Sequence, residues 1–301
     1  MINTLKIIWM GFFAVWLASG VAQATEVSLK NAAGLTLGAN LQLADGKTVA
    51  DGVVLLTHGT LAHNKLEVIV NLQKLLAERA ISSLAPTLSL GLDRRTGMYP
   101  CAVPATHKHS GAMDEIGLWL GWLKDQGATD VVLAGHSRGG NQTAWFAART
   151  ADPVVSKVVL IAPSTWSEQR AAEGFEKTHK QPLGPVLTRA QALVDAGKGD
   201  QFMKGVGVLY CPGADVTAAS FVSYYQPDAR RNTPTLLPLI DKPVLVIGGT
   251  EDTVVPDLIE QVEPLVDGEK IQLVVIDGAD HFFLDFYVED AADAIAEFIE
   301  N

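Results

Sequence analysis

Cysteine is scarce in this sequence: Cys101 and Cys211 are the only two among 301 residues. At most one intramolecular bridge can form, and the pair reads equally as one disulfide or as two unrelated buried thiols. No cysteine stands directly after the amino-terminal apolar run, so a lipidated start is not expected. Positive charge is also in deficit, with 23 Lys+Arg against 34 Asp+Glu and a net charge of −11. Nucleic acids and anionic membranes attract positive surfaces, so neither is an expected partner. Internal repeats, low-complexity tracts and an obvious interdomain linker are all lacking.

Long apolar runs are missing too, save one near the start. Ile7 to Leu17 is apolar apart from Gly11, which is short of the roughly 20 residues a spanning helix needs. It follows the lone charge Lys6 and precedes Ala22-Gln23-Ala24, small residues at cleavage positions. That order predicts a secretory signal peptide over residues 1–24, with an uncleaved anchor as the alternative. The mature chain then starts near Thr25, lies in the periplasm or outside the cell, and keeps no stable membrane anchor.

The sequence as a whole has ordinary globular composition, 48% hydrophobic and 19% charged. Strand-like and helix-like segments alternate along it. Strands are expected on either side of Ala33-Gly34, then at Val53–Thr57, Ile81–Leu88, Val131–Ala134, Val158–Ala162, Val244–Ile247 and Ile271–Ile276. Helices fall between them, at about 66–79, 112–124, 140–149, 258–265 and 291–299. Continuous apolar strands such as Val53-Val54-Leu55-Leu56-Thr57 suit burial on both faces. The alternation predicts an α/β fold, a mostly parallel sheet flanked by helices. Residues 163–241 break the rhythm and read as an insertion over the carboxyl ends of the strands, where open α/β sheets bind ligands.

Gly135-His136-Ser137-Arg138-Gly139 fits G-x-S-x-G directly after a strand and directly before a helix. Such a turn holds a serine hydroxyl exposed above the sheet. A serine needs a base to become a nucleophile. His281, after the last strand, is the candidate, since His179 falls in the insertion and no histidine follows His281. Asp252, in Gly248-Gly249-Thr250-Glu251-Asp252 at a strand's carboxyl end, is the candidate acid, with Asp277 and Asp280 as rivals. The backbone N–H groups of Arg138 and of Thr60, in Thr57-His58-Gly59-Thr60, are candidate oxyanion donors, with Leu61 as fallback to Thr60.

Taken together, these motifs resemble the α/β-hydrolase superfamily over about Thr25 to the end. The resemblance implies the α/β-hydrolase fold, a cap or lid over 163–241, and a Ser137–His281–Asp252 triad working through an acyl-enzyme without a cofactor. The loop His58-Gly59-Thr60-Leu61-Ala62 departs from the HGGG type of some esterases. A small or medium carboxylic ester is the expected substrate. The same triad suits an amide or peptide bond, and a non-catalytic binding protein or a chaperone-like factor would share the fold. Arg94 and Arg95 are candidates for holding an anionic substrate group, and Tyr224, beside Tyr210 and Tyr225, for orienting it. His107 and His109 near Cys101 lack a third and fourth ligand, so no metal is expected.

Overall fold

The computed structural model describes residues 24–301, so the expected signal peptide at 1–24 lies outside the described residues but for Ala24. An antiparallel pair comes first: β1 (Thr25–Lys30) and β2 (Thr36–Gln42), turned at Gly34, whose φ of +80° is easy only without a Cβ. Then β3 (Val53–Thr57), α1 (Glu67–Glu78), β4 (Ser82–Thr87), α2 (Gly111–Asp125), β5 (Val131–His136), α3 (Arg138–Ala147) and β6 (Val155–Ile161) follow in strict alternation. After the insertion, β9 (Val244–Gly249), α8 (Leu258–Val262), β10 (Ile271–Ile276) and α9 (Tyr287–Glu300) resume it.

Among the described residues these strands form one eight-stranded sheet, ordered β1-β2-β4-β3-β5-β6-β9-β10. From β4 onward every neighbouring pair is parallel. All residues of β3, β4, β5 and β9 are buried, as strands covered on both faces must be. The main core joins them to Ile69, Leu72 and Leu76 of α1, Ile116, Trp119 and Leu123 of α2, and Ile295 of α9. These residues recur at helical spacing, so each helix turns one apolar face onto the sheet. Strand order reverses between β3 and β5, since the chain leaves β3 for β4 on one side and returns to β5 on the other. A crevice opens at the carboxyl ends of such a pair. Thr60 and Ser137 stand at those two ends.

Residues 163–241 carry α4 (Glu168–His179), α5 (Leu183–Asp195), the short antiparallel pair β7 (Phe202–Met203) and β8 (Val216–Thr217), α6 (Ala218–Tyr225) and α7 (Thr233–Leu236). They have an apolar cluster of their own, from Phe175 through Val186 and Phe221 to Tyr225. Leu236, Leu237 and Ile240 belong instead to the main core, so the independent part ends before the expected boundary at 241. The loop before α2 joins this second cluster. Ala105 is buried in it, the amide of Ala105 donates to the carbonyl of Asp215, and the amide of Thr217 donates back to the carbonyl of Ala105. Cys101 and Cys211 are disulfide-bonded, which resolves the two readings of the pair and ties loop to insertion across 110 residues.

Candidate active site

Ser137 sits between β5 and α3 with φ 57° and ψ −125°. A non-glycine residue there carries strain of about 1–3 kcal/mol that the surroundings must impose. Its amide donates to the carbonyl of Ile161 on β6, which fixes the turn from the neighbouring strand. The flanking glycines are needed for space rather than for dihedral freedom, because neither has positive φ. A Cβ at Gly139 would meet the carbonyl oxygens of His58 and Thr57, and one at Gly135 would stand 2.5 Å from the carbonyl oxygen of Gly139. Strand, turn and helix therefore pack backbone on backbone.

The turn aims Ser137 at the loops after β9 and β10. Ser137 Oγ lies 2.9 Å from His281 Nε2, and His281 Nδ1 lies 2.7 Å from Asp252 Oδ2. All three side chains are buried. The other oxygen of Asp252 accepts the amides of Val254 and Val255 at 2.7 and 2.9 Å. Burial pushes the Asp252 carboxyl up, but His281 and those two amides outweigh it and hold it below its usual range. The rivals are occupied elsewhere: Asp277 Oδ1 accepts from Thr250, and Asp280 Oδ1 from the amide of Phe282.

Two histidines of the flanking motifs, His58 and His136, hold the loops of the site. His136 Nε2 donates to the carbonyl of His281 at 2.8 Å, so the residue before the serine steadies the backbone of the imidazole opposite it. His58 Nδ1 donates to the carbonyl of Gly59, and its Nε2 accepts from the amide of Leu88. Burial, first of all, lowers His136 to about 4 and His58 to about 3, so both are neutral near pH 7. The side chain of Arg138 donates from Nε to Thr60 Oγ1 at 2.9 Å. The two residues whose backbone amides are candidate oxyanion donors are thereby tied to each other.

Ser137 borders two openings. One, of about 220 Å³, is walled by Ala62, Leu66, Met98, Val254 and Phe282 and is mostly apolar. The other, of about 210 Å³, lies on the insertion side and is bounded by Arg138, Arg170, Arg231, Trp166, Tyr224 and Tyr225. Tyr224 borders this opening, with its hydroxyl 2.7 Å from His107 Nδ1. Arg94 and Arg95 do not, and this corrects their assignment to substrate. Arg94 is exposed, and both border a separate cleft over β1 and β2. Arg95 is buried and donates to the carbonyls of Leu88 and Ala62 at 2.7 and 2.6 Å, stapling the loops after β3 and β4 together. Sequence reasoning passed over Arg170 and Arg231, which read as ordinary charges within the insertion. His107 and His109 are engaged by Tyr224 and by Asn141 and Arg138.

A doubly wound sheet with a strained serine above its switch point, facing histidine and carboxylate from later loops, defines the α/β-hydrolase class. The model of the alpha/beta hydrolase family matches residues 53–298, and the chain belongs to that family. It is a hydrolase by that membership. Among solved structures it is similar to Est1E from Butyrivibrio proteoclasticus, at 19% identity over 92% of this chain and 97% of that one, TM-score 0.61. An esterase of Pyrococcus furiosus is 17% identical over 92% and 90%, TM-score 0.61. The alpha/beta hydrolase GrgF of a Penicillium species is 15% identical over 92% and 97%, TM-score 0.64. At such identities the likeness is one of fold. No curated protein matches the sequence significantly.

Proposed function

We propose that the chain is an exported serine hydrolase cleaving a small or medium carboxylic ester through an acyl-enzyme. The observation that carries this is the unbroken line from Ser137 Oγ through His281 to Asp252. In the forward step His281 Nε2 takes the Ser137 proton while Oγ attacks the carbonyl carbon. The amides of Thr60 and Arg138 receive the developing oxyanion. Collapse expels the alcohol with the proton from His281, leaving Ser137 acylated. Water then attacks the ester with His281 as base, releasing the acid. Asp252 stays ionised, holds the tautomer with Nδ1–H, and stabilises the imidazolium.

The test is a burst experiment with 4-nitrophenyl butyrate. One equivalent of nitrophenol released ahead of the steady state, with an acylated protein caught by mass spectrometry after acid quench, supports the reading. Turnover with no acyl-protein at any time contradicts it. Cleavage of anilides as fast as esters would move the activity to amides. Export belongs to the same proposal. Protein recovered from an exporting host should begin near Thr25, and recovery of the full-length chain in membranes would count against export.

A further inference from the structure

The opening on the insertion side of Ser137 is cationic in a chain of net charge −11. Three arginines border it, Arg138, Arg170 and Arg231, and among the described residues none of those lining it is acidic. Two of the three are accounted for. Arg170 pairs with Asp257 at 2.7 Å and donates to Thr165. Arg138 holds Thr60 and His109. Arg231 differs. It is only 4% exposed, its Nη1 donates to the carbonyl of Tyr224, and its Nε and Nη2 meet no acceptor among the described residues. The nearby carboxylate of Asp228 is taken by Arg230.

A buried guanidinium without a carboxylate is costly, and such groups are ordinarily paired. The Nε–H and the Nη2–H share one edge of the planar group; neither nitrogen has open surface, so the side chain turns toward the opening to present that edge to a ligand. That parallel fork fits both oxygens of a carboxylate. The Trp166 ring covers the guanidinium face, 4.9 Å from its carbon, and leaves recognition to the edge. Tyr224 and Tyr225 cannot supply negative charge, because burial pushes both phenols up, Tyr225 to about 12. Burial, followed by Arg138, lowers Arg231 to about 10, which still leaves it charged at pH 7.

We propose that this opening is a carboxylate subsite with Arg231 as its fork, so that the preferred ester carries a second, free carboxylate. This rests on the esterase reading of Ser137 and names the substrate class for it. Two matched pairs of esters test it, since the charged group could belong to either half of the substrate. In the first, mono-4-nitrophenyl glutarate is set against 4-nitrophenyl pentanoate. In the second, the butyrate ester of 4-hydroxybenzoate is set against that of 4-hydroxybenzamide. The charged member of one pair should have about tenfold or more higher kcat/KM, the scale of one charge-assisted bidentate contact. Arg231→Gln should bring the ratio close to one, and Arg231→Lys, which keeps the charge but not the fork, should lower it less. Glutarate should compete with the charged ester more strongly than inorganic phosphate does at equal ionic strength.

Equal rates within both pairs in the wild-type protein would overturn the subsite while leaving the esterase reading intact, with no variant needed. Stronger competition by phosphate would overturn the choice of carboxylate. Should no ester be turned over, the esterase reading itself fails. Calorimetry of glutarate on the wild-type protein then decides the subsite, and absence of binding overturns it.

Discussion

At the scale of single residues, the proposed chemistry depends on the Asp252–His281 contact. Asp252→Asn should leave the fold intact and lower kcat by about 10⁴, because an amide stabilises the wrong imidazole tautomer. Asp277→Asn and Asp280→Asn should cost far less, since neither carboxylate reaches the ring. Rates for the three variants on one soluble ester check this, and a larger loss at Asp277 or Asp280 would misplace the acid. Gly139→Ala tests the backbone contact behind the serine. A methyl group aimed at the carbonyls of His58 and Thr57 forces the turn apart, so both activity and thermal midpoint should fall, by several kcal/mol in stability. That Ser137, Asp252 and His281 come together was legible because each stands at a strand's carboxyl end in a recognisable local sequence. The roles of Arg231 and Arg95 were not. Both follow another arginine in sequence, and only tertiary contacts separate the buried partner of each pair from the exposed one.

At the scale of elements, the strands read true because continuous apolar runs between turn residues leave few alternatives. The expected strand Val53–Thr57 and strand Ile271–Ile276 have the bounds observed. Helix α9 begins at Tyr287, four residues ahead of the expectation, since Val288 is apolar but lies among acidic residues that masked the pattern. The insertion was legible as an interruption and illegible in its attachments, which are long-range. Its tie to the loop before α2 gives a prediction. Replacing Cys101 and Cys211 together by serine removes a cross-link closing 110 residues, worth up to about 5 kcal/mol by chain entropy. The main sheet should persist in circular dichroism while the insertion becomes sensitive to protease. Unchanged protease resistance would mean that the hydrogen bonds at Ala105 and His107 suffice.

At the scale of the whole molecule, pH dependence follows from histidines kept neutral by burial. His58 and His109 are lowered to about 3, and His107 and His136 to about 4. Below pH 6.5 the unfolded chain binds protons at these positions and the folded one does not. Stability therefore rises with pH across this window and is lost as pH falls from about 6.5 toward 4, each histidine contributing up to about 1.4 kcal/mol per pH unit. Asp252 has the depressed carboxyl, so its contribution fades only below its unfolded value of 3.8, after the histidines have acted. Urea midpoints from pH 7.5 to 4.5 should drop steeply below 6.5, and a flat profile would contradict the burial of these rings. Acyl preference also belongs to the whole. Openings of about 210 and 220 Å³ beneath a tethered insertion suit soluble short-acyl esters. Rate against substrate concentration should show no jump where an emulsion forms, and a jump with preference for long chains would make this a lipase.

Ser137 as nucleophile is tested most directly by covalent labelling with an uncharged fluorophosphonate, read by intact mass and peptide mapping. One adduct per chain is expected, located on Ser137, and none on the Ser137→Ala protein. Ser137→Ala should keep the wild-type thermal midpoint or exceed it, because alanine removes only a hydroxyl. Labelling of a folded Ser137→Ala protein at the wild-type rate, or no labelling of the wild type, would contradict that role for Ser137.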